Sequence, residues 1–145
     1  MKAVVQRVRR ASVEIEGKKV GEIGRGIVVL CAFEKGDRQD MIPKFSNKIL
    51  NLRIFEDENG RMNYSAVDLG LEVLLISNFT VAGDTKKGRR PSYDRAMPPD
   101  EAERFFDLLF DEMKKSGLRT ERGVFGARML VSIENDGPVT LIVEL

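Results

Sequence analysis

The stretch Arg128-Met129-Leu130-Val131-Ser132-Ile133-Glu134, then Asn135-Asp136-Gly137-Pro138, then Val139-Thr140-Leu141-Ile142-Val143-Glu144-Leu145 decides the fold class. Its two flanks are rich in Val, Ile and Leu, which suit a pleated, half-buried surface. Only four residues separate them, all of the kinds that turns use. The two strands are joined directly by this loop with no helix between, so strands here come in clusters rather than in βαβ alternation.

The same clustering recurs at the other end of the chain. Lys2–Val8 reads as a first strand, and Ser12-Val13-Glu14-Ile15-Glu16 alternates with period two. Gly17-Lys18 turns the chain into a hairpin partner at Lys19–Ile23. Gly26–Phe33 is continuously apolar and β-branched, as a buried central strand is. Asp37 or Asp40 is placed to cap a helix carrying Ile42, Phe45, Ile49 and Leu52, with Pro43 in its first turn. Arg53–Glu56 is extended, Asn59-Gly60 is a tight turn, and Leu71–Val81 reads as a strand ending in Ser77-Asn78-Phe79-Thr80. Pro98-Pro99-Asp100-Glu101 opens a second helix with the stripe Phe105, Leu108, Leu109 and Met113, widened by Phe106 and Phe110. Lys114-Lys115 lies in its last turn and Gly117 stops it. About seven strands in clusters and two main helices make an α+β protein. One domain over residues 1–145 is expected, with a curved, mostly antiparallel, β-barrel-like sheet and the helices on one side.

Composition narrows the chemistry. The 145 residues are 42% apolar and 32% charged, with 24 basic against 23 acidic side chains, so no global field marks a polyanion or membrane partner. There is no histidine, one cysteine and no tryptophan. An internal disulfide, a Cys/His zinc site, Ser-His-Asp or Cys-His catalysis and any histidine base are thereby excluded. No metal or other cofactor is expected. Met1–Arg7 lacks the apolar core of a signal peptide, and the run Ile27–Phe33 is too short to span a bilayer. With a lone Cys31, this points to a cytoplasmic protein without a membrane partner.

Three segments stand out as candidates for chemistry, each with a plain structural alternative. Asn135-Asp136-Gly137-Pro138 is first of all a turn, yet Gly137-Pro138 is a bond where cis occurs, and a cis bond would aim two carbonyls the same way. Ser77-Asn78-Phe79-Thr80 either completes a strand or places two hydroxyls and an amide at a strand end, where sites are commonly built. Lys86-Lys87-Gly88-Arg89-Arg90 is either a solvated loop or a phosphate-binding one. Tyr93 and Phe125, near basic residues, are core aromatics or stacking platforms. Arg7, inside an apolar strand, needs a partner if buried.

Taken together, these segments resemble the D-aminoacyl-tRNA deacylases. The resemblance runs from Val5-Gln6-Arg7-Val8 and Ala11-Ser12-Val13 to the last strand. It is carried most specifically by Ser77-Asn78-Phe79-Thr80, against the family's Ser-Gln-Phe-Thr, and by Asn135-Asp136-Gly137-Pro138-Val139-Thr140. Arg90-Pro91-Ser92 and Gly123-Val124-Phe125-Gly126-Ala127-Arg128-Met129 add to it. Asn78 departs from the usual glutamine by one methylene, and Val81 from the usual leucine.

The resemblance implies hydrolysis of the ester joining a D-amino acid, or glycine, to the terminal adenosine of tRNA. It implies a homodimer with active sites at the interface, aminoacyl-tRNA as partner and no DNA. Ser77, Phe79 and Thr80 become the catalytic segment. Asn78, Phe125 and Met129 line the pocket, and Gly137-Pro138, propped by Arg7, forms a cis peptide that excludes L side chains from the partner's pocket. Lys86, Lys87, Arg89 and Arg90 are the expected tRNA phosphate contacts. The family's chemistry rests on the substrate's ribose 2′-OH, with backbone N–H groups near Phe79 and Thr80 for the oxyanion. An older proposal makes the threonine matching Thr80 a nucleophile. A non-catalytic RNA-binding module and a purely structural homo-oligomer are the competing readings.

Overall fold

The computed structural model describes residues 1–145. Eight strands and three helices follow one another as β1 (Lys2–Ile15), β2 (Lys18–Ile23), β3 (Gly26–Ala32), α1 (Ile42–Leu50), β4 (Phe55–Glu56), β5 (Met62–Tyr64), α2 (Ala66–Leu69), β6 (Glu72–Ser77), α3 (Pro99–Lys114), β7 (Thr120–Arg122) and β8 (Leu130–Glu144). The architecture is α+β, as the clustering of strands implies.

Strand β1 organises the sheet. Its first half, Lys2 to Val8, pairs antiparallel with β3, and its second half, Ala11 to Ile15, pairs antiparallel with β2. Along nearly its whole length it also pairs antiparallel with β8. From β3 the sheet continues through β6 and β7, both added in parallel. The order is β2-β1-β3-β6-β7, with β8 on the other side of β1. β2 comes round against β6 and β7, so the mixed sheet curls into a nearly closed barrel. The two parallel joins need crossovers, and these carry α1 and α3, which pack on each other.

Two apolar clusters hold this together. The larger lies between sheet and helices and includes Phe45, Ile49, Phe105, Leu109 and Met113, none more than 2% exposed. Each such side chain contributes roughly 1.5–3 kcal/mol by leaving water. The smaller fills the curl of the sheet with Val8, Val13, Ile23, Leu74 and Ile76.

Four local readings change. First, β1 is one strand, where the sequence divides into two runs, and β8 likewise continues through Asn135–Pro138. Second, neither Asp37 nor Asp40 caps α1, which is preceded by a 3₁₀ turn at Gln39–Met41 and has no side-chain cap. Asp37 is taken up elsewhere, accepting from the Met1 ammonium and from the Glu34 N–H, both at 2.7 Å. Third, Leu108 stands partly exposed while Phe106 is buried beside Phe105. Fourth, β6 stops at Ser77, and Phe79–Ala82 wind into a 3₁₀ turn. A short α2 also forms, closed by a capping box in which Ser65 and Asp68 satisfy each other's backbone N–H groups.

Candidate active site

Parallel β3 and β6 end side by side, with Cys31 opposite Ser77. Beyond these carboxyl ends opens a cavity of about 840 Å³. Its walls are mostly apolar, with Phe33, Met97, Phe125, Met129, Val131 and Ile133 among them. Ser77, Asn78 and Phe79 line it as well, and Lys35 is its one cation. The sequence reading names Ser77, Asn78, Phe79, Phe125 and Met129, which the structure brings together here, and Thr80, which is exposed and is not among the lining residues. It misses Phe33, Met97, Val131 and Ile133, whose apolar spacing reads simply as core. Met97 directly precedes the Pro98-Pro99 helix opening, and that helix start forms one wall.

The lining segment is shaped by a change of backbone course. Asn78 N–H makes the last bond to β3, donating to the Cys31 carbonyl at 2.8 Å. Asn78 then leaves the ladder with ψ near 87°, and the 3₁₀ turn begins. A helical turn offers no acceptor to its first N–H groups. Phe79 and Thr80 N–H make no turn, loop or cap bond either. The Thr80 hydroxyl donates to the Asn78 Oδ1, so its partner is an amide and not a base. Burial pushes the Cys31 thiol up to about 12. It stays protonated at neutral pH and offers no thiolate nucleophile.

Arg7, Gly137 and Pro138 lie elsewhere in the same chain and do not line this cavity. Gln6 faces Thr140 and Val8 faces Asn135, so the lone Arg7 on β1 stands against residues 136–139 of β8. The surplus residues bulge outward. Arg7 is 8% exposed and spans the gap, with Nε donating to the Asp136 carbonyl at 2.9 Å and Nη1 to the Ile54 carbonyl at 2.7 Å. Asn135 braces the bulge from within, accepting from Val139 N–H and donating to the Thr140 hydroxyl. At the exposed crest the Gly137–Pro138 bond is cis. Gly137 has φ +136°, and a Cβ there would lie 3.0 Å from Arg7 Nη2 and 2.9 Å from Val139 Cγ2. A side chain there would be strained by the torsion and would crowd both neighbours.

The basic loop is a third, separate feature. Asp84 and Ser92 close its base by exchanging backbone bonds of 2.8 and 2.9 Å. Lys86, Lys87, Arg89 and Arg90 project from it into solvent. None of the four forms an ion pair, so their charge is uncompensated at short range.

The chain is similar to known proteins over almost its whole length. The sequence profile of D-Tyr-tRNA(Tyr) deacylase matches residues 4–144. Curated proteins named D-aminoacyl-tRNA deacylase are similar over nearly the whole chain. That of Thermosipho africanus is 49% identical over 144 residues, covering 99% of this chain and 97% of its own. That of Carboxydothermus hydrogenoformans is 49% identical over 145 residues, covering all of both chains. Among solved structures, the c-Myc DNA Unwinding Element Binding Protein superposes with a TM-score of 0.94 at 44% identity, over 100% of this chain and 99% of that one. A structure described as "Structural Analysis of a probable eukaryotic D-amino acid tRNA deacylase" superposes at 0.88 over 99% and 98% of the two chains. At 17% identity it shows the shared fold.

Proposed function

This chain belongs to the D-Tyr-tRNA(Tyr) deacylase family, and from that premise we propose that it hydrolyses the ester joining a D-amino acid to the terminal adenosine of tRNA. It is a hydrolase acting on aminoacyl-tRNA. The observation that carries the reading is the cavity itself. An apolar chamber large enough for an aminoacyl-nucleoside is lined by Phe79, and neither the Phe79 N–H nor that of the adjacent Thr80 makes a turn, loop or cap hydrogen bond.

Water adds to the ester carbonyl carbon, the carbonyl oxygen takes up negative charge, and the C–O bond to the ribose then breaks. The Phe79 and Thr80 N–H groups are the donors for that oxyanion, a contribution worth ~2.7–4 kcal/mol per donor in comparable sites. With no histidine in the chain, the substrate's own ribose 2′-OH guides the proton from water to the leaving oxygen. Thr80 stands beside the site and is not the nucleophile, because its hydroxyl meets an amide and no base. Asn78 orients that hydroxyl, and Phe125 and Met129 pack against the nucleoside.

Selection against L-amino acids is steric. The Gly137-Pro138 crest of one subunit enters the cavity of the other, and its backbone occupies the space that an L side chain would need. Glycine, with no side chain, passes and is hydrolysed too. Support comes from the bracing of the bulge by Arg7 and Asn135, which holds an exposed crest in one position. The homodimer this requires has a candidate seam in β8, which pairs only with β1 and leaves Leu130 and Ile142 64% and 69% exposed. An unpaired edge strand with apolar side chains is a natural two-fold interface. The loop carrying Lys86, Lys87, Arg89 and Arg90 meets tRNA phosphates. No helix is long and apolar enough to cross a membrane, and a cytoplasmic location follows from the substrate. Incubation with D-Tyr-tRNA and L-Tyr-tRNA, following ester loss from each, tests the reading.

A further inference from the structure

Two large aromatic side chains stand at the mouth of the cavity without cover. Phe79 is 58% exposed and Tyr93 38% exposed. Their rings meet edge to face at 5.1 Å, forming one shelf, and both line the cavity. The shelf is built. The Tyr93 ring lies over Gly83, where a Cβ would come within 2.9 Å of Tyr93 Cε1 and of the Thr80 carbonyl. On the other side the Tyr93 carbonyl accepts from Ala96 N–H at 3.0 Å. Two residues beyond Tyr93, the Arg95 carbonyl accepts from Lys35 N–H at 2.9 Å, which fixes Lys35 beside the same mouth. Lys35 forms no ion pair, and the nearby Asp37 is already engaged by the Met1 ammonium.

We propose that Tyr93 and Lys35 form a subsite for the nucleotide preceding the terminal adenosine, with the base on the Phe79–Tyr93 shelf and its phosphate at Lys35. The inference rests on the deacylase reading above. If the scissile ester sits at the Phe79 and Thr80 N–H groups inside the cavity, the chain of nucleotides must leave through the mouth. An exposed aromatic shelf beside an unpaired ammonium matches what emerges there, a flat base and a phosphodiester. Both residues act as positioning residues, since neither reaches the reacting atoms.

The test compares two small substrates on the full-length protein, the D-tyrosyl ester of adenosine and the D-tyrosyl ester of the dinucleotide CpA. The wild type is expected to show a lower KM for the CpA ester. Tyr93→Leu should raise that KM about tenfold, the scale of one base–aromatic contact. Tyr93→Phe should keep it. Lys35→Ala should raise it severalfold and lessen the log–log salt dependence by about 0.7. None of the three should alter KM for the adenosine ester or kcat for either. Equal kcat/KM of the wild type on both esters, or equal losses on both in the variants, overturns the subsite and leaves the deacylase reading standing. A wild type that cleaves neither ester, nor D-Tyr-tRNA, overturns that reading and the subsite with it.

Discussion

Arg7 Nε donates to the Asp136 carbonyl at 2.9 Å, which ties the centre of β1 to the outermost bulge of β8 across 129 residues of chain. The same guanidinium holds the Ile54 carbonyl through Nη1, so one planar group anchors two backbone segments. Arginine suits this because its donors are fixed in a fork.

Arg7→Leu should therefore leave the buried Ile54 carbonyl without its donor and free the bulge. An unsatisfied buried acceptor costs ~1–3 kcal/mol, which urea unfolding will read as a lower midpoint. Arg7→Lys should recover part of that loss, because a single ammonium cannot reproduce both directed bonds. If the crest excludes L side chains, Arg7→Leu should also raise cleavage of L-Tyr-tRNA relative to D-Tyr-tRNA. Unchanged stability and an unchanged D-to-L ratio would remove Arg7 from the account.

The basic loop bears on affinity and not on chirality. Replacing Lys86, Lys87, Arg89 and Arg90 with neutral residues should weaken tRNA binding and flatten its salt dependence. The ratio of D to L cleavage should survive, because phosphate contacts position a substrate without reading its amino acid. Filter binding across a salt series measures the first effect and paired deacylation the second. A variant with wild-type affinity at every salt concentration would show the loop to be solvated surface only.

Thr80 separates two chemistries. Thr80→Ala removes a hydroxyl whose partner is the Asn78 amide, so it should retain measurable hydrolysis. A D-aminoacyl-tRNA ending in 2′-deoxyadenosine should be cleaved poorly, having lost the group that guides the proton. A dead alanine variant with an intact deoxy substrate would instead make Thr80 the nucleophile.

Assembly is tested by mass. Sedimentation in dilute solution should return twice the mass of the chain, and Ile142→Glu on the exposed face of β8 should shift it toward the monomer with loss of activity. A wild-type monomer that is fully active would contradict a shared site.

Much of this was legible in the chain because local pattern and fold agree over β3, β6 and the start of α3. Gly26–Phe33 and Val73–Ile76 are apolar without interruption, and both lie in buried strands. That they run parallel was not legible, since register and direction depend on the crossovers that separate them. Ser77–Thr80 read as strand by β propensity, yet tertiary packing winds Phe79–Ala82 into a 3₁₀ turn. Local sequence cannot show that Asp37 leaves the helix uncapped, because Asp37 answers to the Met1 ammonium, a partner 36 residues away. The same limit applies to the cavity. Phe33, Met97 and the β8 pair Val131 and Ile133 come from three distant segments, and no local spacing marks them as one wall. Asn135–Pro138 read as a turn between strands because its composition is that of a turn. Only the pairing with β1 shows it to be a bulge within one continuous strand.

The central claim is hydrolysis of D-aminoacyl-tRNA with rejection of the L form. Its most direct test is the initial rate of ester loss from D-Tyr-tRNA and L-Tyr-tRNA at equal concentration, against a control without protein. The account predicts rapid cleavage of the D ester, cleavage of glycyl-tRNA as well, and an L ester that decays no faster than in the control. Comparable cleavage of the D and L esters, or no cleavage of either, would contradict it.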